Sequence, residues 1–64
     1  MTADELKDEI KKLSARATQS KMDLHDLSEE LPIGWEKIME QAEATYKAFE
    51  TLAAKRAELK ALQG

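Results

Sequence analysis

The chain has no cysteine, one proline, two glycines, one histidine and a single copy each of tryptophan, tyrosine and phenylalanine in 64 residues. Each scarcity removes a class of explanation. Without thiols there is no disulfide staple and no cysteine nucleophile. A structural zinc of the usual kind is also missing its ligands, because His25 is the lone histidine. So little glycine and proline leaves no Gly-rich phosphate loop and too few turn residues for a set of strands. No apolar run is long enough for a transmembrane span or a signal-peptide core, so a cytoplasmic location is the expectation.

Catalytic signatures are equally thin. There is no His-Glu-x-x-His and no second histidine to pair with a base, and the adjacent carboxylates Glu29 and Glu30 point in different directions on a helix. The expectation is a protein that is not an enzyme.

What the chain does have is charge on 36% of its residues and apolar character on 42%, with a formal net charge of −3. That is the composition of long, surface-rich helices. In the first half Leu6, Ile10, Leu13, Ala17, Ser20, Leu24, Leu27 and Leu31 follow one another at spacings of four and three, a heptad seam with one polar member. Thr2 or Asp4 can cap the start, where Asp4, Glu5, Asp8 and Glu9 suit the helix dipole. Leu31-Pro32-Ile33-Gly34 is the one strong punctuation, since proline disfavours helical geometry in the residue before it. From Trp35 a broader stripe resumes through Ile38, Met39, Ala42, Thr45, Tyr46, Phe49, Leu52, Ala53, Arg56, Leu59 and Leu62. The pattern predicts one unit over 1–64: a helix over about 3–31, a bend at 32–34 and a helix over about 35–62. Ile33 and Trp35 bracket Gly34 and are expected to fold back over the end of the bundle, with Trp35 open to a second reading as an exposed anchor for another protein.

A hairpin of this size has too little interior to offset the entropy of ordering it, so a partner is needed. The fold class expected is therefore all-α, a two-helix antiparallel hairpin that self-associates as a homodimeric four-helix bundle, or as a tetramer. Leu6, Ile10, Leu13, Ala17, Leu24, Leu27, Ile38, Ala42, Phe49 and Leu52 are the self-association residues. Arg56, on the stripe of the second helix, reads as an interhelical ion pair or a snorkelling side chain.

The segment Ser20 to Pro32 departs from ordinary helix design. Asp23, Asp26, Glu29 and Glu30 crowd a helix C-terminus, where negative charge opposes the dipole, and no basic residue follows Lys21 until Lys37. With Trp35 these four acids form a candidate protein-docking surface for a basic partner. His25 shares a flank with Met22 and Glu29, so Met22, His25, Asp26 and Glu29 are candidate ligands for a divalent metal, the one candidate cofactor. The plainer reading of His25 is a surface salt-bridge partner. Lys7, Lys11, Lys12, Arg16 and Lys21 raise nucleic-acid binding, but acids are interleaved with them and the chain is net acidic, so RNA ranks last.

The stretch KMDLHDLSEELP at 21–32, followed by Gly34-Trp35, together with LKDEIKKLSARAT at 6–18, resembles the small Rop-like proteins encoded among nitrogen-fixation genes of diazotrophic bacteria. The resemblance spans nearly the whole chain, and its most specific part is Asp-Leu-His-Asp-Leu running into Glu-Glu-Leu-Pro. It implies a hairpin dimer similar in architecture to the RNA-binding plasmid protein Rop, without implying RNA binding. It also implies a role accessory to nitrogenase, with a nitrogenase component or cofactor-assembly protein as partner. The matching positions Lys21, Met22, Asp23, His25, Asp26 and Trp35 are where that role would be sought.

Overall fold

Thr2 starts the first helix. In the computed structural model, which describes residues 2–63, its backbone is extended and its hydroxyl accepts a hydrogen bond from the Glu5 amide at 3.2 Å. One of the donors that a helix start leaves free is thereby satisfied, and the same hydroxyl donates to the Glu5 carboxylate. The helix that follows, α1, runs Ala3–Glu30. Positions 1 and 64 of the expected unit lie outside the described residues.

Helix α1 stops at Glu30 because Leu31, held by the following proline, turns extended at φ −53° and ψ 143°. The expected helix boundary at 31 thus falls one residue late. The Leu31–Pro32 peptide is cis, and the Ile33 amide donates to the Glu30 carbonyl at 3.0 Å. Gly34 then reverses the chain at φ 76°, a left-handed conformation that costs glycine little. Its carbonyl accepts from the Lys37 amide at 3.0 Å. This closes a single 3-10 turn, Trp35–Lys37, where the sequence pattern suggested the α-helix would already begin. The second helix, α2, runs Ile38–Gln63.

The two helices lie antiparallel in a rod 47 Å long and 14 Å across. Polar contacts fix their register. The Thr45 hydroxyl lies 3.2 Å from the Ser20 carbonyl and 2.9 Å from the Gln41 carbonyl, so its one proton is shared between them. Farther toward the open end, Lys55 reaches Glu9 of α1 at 3.7 Å and Glu58 at 3.5 Å. The interhelical ion pair is therefore made by Lys55, whereas Arg56 is exposed.

Only Leu6, Ala17 and Leu52 are fully buried among the described residues. Around them Ile10, Leu13, Ser20, Leu24 and Leu27 of α1 are half-buried against Ile38, Gln41, Thr45, Ala48, Lys55 and Leu59 of α2. The hairpin-facing positions of α2 are thus 38, 41, 45, 48, 52, 55 and 59. What the sequence presents as one broad stripe is two seams side by side. Gln41, Ala48 and Lys55 belong to the inner seam, whereas Met39, Tyr46 and Phe49 lie outside it.

Candidate functional site

Two surfaces emerge from this arrangement. The first is the bend end. Gly34 sits directly over Leu27, so close that a Cβ on residue 34 would lie 3.1 Å from Leu27 Cδ1. Leu27 therefore closes the end of the hairpin, and the expected fold-back of Ile33 and Trp35 does not occur. They stand 75% and 66% exposed, with Met39 one turn on at 80%.

The last turns of α1, which lead into the bend, carry the acids. Asp23, Asp26, Glu29 and Glu30 are all exposed. Gln19 donates to Asp23 at 2.9 Å, and the Ser28 hydroxyl donates to the His25 carbonyl one turn back at 2.7 Å. No basic side chain lies in the last turn of α1.

His25 Nε2 approaches Glu29 Oε1 at 3.2 Å, while its Nδ1 faces Asp26 Oδ1 at 3.8 Å. The two carboxylates thus address different ring nitrogens instead of one point in space. Among the described residues no group of three or more histidines, aspartates or glutamates is placed to hold an ion together. Met22 is exposed on the same helix.

The second surface is the open flank of α2. Trp35, Met39, Ala42, Tyr46, Phe49, Ala53 and Arg56 follow one another at spacings of four and three. Six of the seven come one residue after a hairpin-facing position, which sets this seam about 100° around the helix from the first. Trp35, Met39, Tyr46 and Phe49 are exposed large apolar or aromatic residues, and Ala42 is half-buried. The groove on the opposite face of the hairpin differs in character. It is lined by Arg16 of α1 and by Lys37, Glu40, Ala44 and Lys47 on the second arm, residues that precede seam positions.

The expected self-association residues divide between these environments. Leu6, Ala17 and Leu52 are buried inside one hairpin, and Ile10, Leu13, Leu24, Leu27, Ile38 and Ala42 are half-buried. Phe49 remains 41% exposed. Sequence reasoning missed Ile33 as a surface residue, its place beside Gly34 being the available signal, whereas Met22 and Met39 are exposed as the sequence suggests.

No helix among the described residues is long and apolar enough to cross a membrane. A family model described as Rop-like matches residues 1–64. A UPF0437 protein of Azorhizobium caulinodans is 55% identical over 58 residues, covering 91% of this chain and 84% of that protein. A Frankia alni relative, described as a UPF0437 protein in the nifX-nifW intergenic region, is 50% identical over 44 residues, covering 69% of this chain and 54% of its own length. An NMR structure determined by the Northeast Structural Genomics Consortium is 52% identical, with a TM-score of 0.90 over 98% of this chain and 89% of the solved one.

Proposed function

The chain belongs to the Rop-like family, and on that premise we propose that it is a non-catalytic accessory module associated with nitrogen fixation. It acts in the cytoplasm as a homodimer and docks a basic partner protein through its acidic bend end. The observation that carries this reading is that the bend exposes Ile33, Trp35 and Met39 while the last turns of α1 expose Asp23, Asp26, Glu29 and Glu30. Exposed apolar side chains can supply affinity to a protein interface, and charge of one sign nearby can steer the approach. The link to nitrogen fixation draws on the intergenic position named for the Frankia relative, and a nitrogenase component or a cofactor-assembly protein is the class of partner it suggests.

Metal binding is not part of this reading, because Asp26 and Glu29 flank different nitrogens of His25. RNA binding is set aside because acids interrupt the basic residues of α1.

The test is affinity purification of the tagged protein from a nitrogen-fixing culture, beside a variant with charge reversal at Asp23, Asp26 and Glu30. Recovery of nitrogenase-related proteins with the native chain and their loss with the variant is the expected result. Equal recovery with both would overturn the docking surface.

A further inference from the structure

On the face turned away from Tyr46 and Phe49, a long depression follows the line between the two helices. It has two stretches that meet at Ala44, one beside Leu27 and Gln41 and the other among Leu13, Ser20 and Ala48. From Leu27 to Leu13 it extends about 21 Å, at a rise of about 1.5 Å per residue, which is the length of nearly four helical turns. Its α2 wall is low. Ala44, Ala48 and Thr51 stand there, and side chains this small let another helix approach near the closer end of the usual range of about 8–10 Å between axes.

Charge restricts what fits. In the middle of the depression Arg16 of α1 and Lys47 of α2 line the same stretch from opposite walls. The Thr45 hydroxyl, 3.2 Å from the Ser20 carbonyl, fixes their relative height. Counted from that contact toward the open end, Arg16 lies four residues along and Lys47 two, so the cations stand within about 3 Å of one level. Lys12, one turn before Arg16, adds a third positive charge, and α1 carries no carboxylate at any position between Glu9 and Asp23. Arg16 takes part in no ion pair among the described residues. Lys47 meets Glu43 of its own helix at 3.0 Å, but both groups are well exposed, and a pair of that kind contributes little and is readily exchanged.

We infer that this groove docks an amphipathic helix of a partner protein, with a glutamate or aspartate of that helix seated between Arg16 and Lys47. A free small anion would meet two exposed cations in an open trough and gain little from them. A helix laid along the trough covers Leu13, Ala44 and Ala48 as it delivers its carboxylate, so the ion pairs form beside apolar contact and away from water. A nucleic acid fits poorly. The walls turn acidic on either side of the cations, with Glu9 and Glu58 toward the open end and Asp23 and Glu40 toward the bend, and these repel a continuous phosphate backbone. The groove is separate from the bend, so this goes beyond the docking of a basic partner there. One rod then carries two docking surfaces of opposite charge preference, suited to holding a basic and an acidic partner together.

The test titrates the full chain, labelled with nitrogen-15, with three probes. One is a four-turn helical peptide with a leucine stripe, glutamines elsewhere and two central glutamates; the second replaces those glutamates by lysines; the third is a short mixed-sequence RNA. The glutamate peptide is expected to perturb the amides of Arg16, Ser20, Ala44, Ala48 and Thr51 and to bind about tenfold tighter than the lysine peptide. Arg16→Glu with Lys47→Glu should reverse that preference, and Ala44→Leu, which fills the trough without touching its charge, should weaken binding of the glutamate peptide to the same degree. All three positions are exposed, so helical circular dichroism should be unchanged. Equal binding of the two peptides, perturbation confined to the bend or to the outer flank of α2, or no binding of the glutamate peptide at millimolar concentration would each overturn the inference. Binding of the RNA alone would overturn it in favour of a nucleic-acid interface.

Discussion

Phe49→Ala should weaken self-association far more than it weakens the hairpin. The side chain is 41% exposed in the single hairpin, and a phenylalanine carries on the order of 200 Å² of surface. About 80 Å² per copy is therefore available to a partner. At ~25 cal/mol per Å² this is about 2 kcal/mol per copy, or about 4 kcal/mol per dimer, equivalent to roughly three orders of magnitude in dissociation constant. Leu52→Ala is the matched control. Leu52 is 4% exposed within one hairpin, so its truncation should cost about 2–5 kcal/mol of folding stability in each chain. The assay is thermal unfolding followed by helical circular dichroism over a hundredfold range of concentration, since the melting point of a dimer rises with concentration. The native chain should show that rise. Phe49→Ala should show it only at much higher concentration, and Leu52→Ala should melt lower throughout while keeping the concentration dependence. An unchanged profile for Phe49→Ala would refute the reasoning.

Other outcomes follow from individual residues. Gly34→Ala should destabilise the fold by about 1–2 kcal/mol, because alanine resists the left-handed backbone and its Cβ would press on Leu27; an unchanged denaturant midpoint would contradict the account of the bend. Thr2→Ala should cost about 1 kcal/mol through loss of the N-cap, seen as fraying of the first turn by amide exchange.

Much of the fold is legible in the sequence because helices announce themselves by period. The seam from Leu6 to Leu27 and the Pro32-Gly34 punctuation define two helices and a reversal, and Thr2 followed by Glu5 marks the start. Period alone does not say which of two adjacent seams faces the sister helix. Gln41, Ala48 and Lys55 face it although two of them are polar, since Gln41 lies toward the Ser20 carbonyl and Lys55 toward Glu9. Their polarity hid the inner seam and made Ala42 and Phe49 look like part of it. At the bend the acids were readable as an excess over bases. The exposure of Ile33 was not, because it depends on Gly34 adopting a left-handed backbone over Leu27, and for Trp35 the sequence left the end plug and the exposed anchor both open.

The proposed self-association makes the hairpin half of a structure, with the second seam of α2 covered by another copy. Sedimentation velocity of the unaltered chain across micromolar concentrations tests it most directly. The expected result is a single species of twice the 7.2 kDa chain mass. A stable, folded 7.2 kDa monomer at every concentration would contradict it.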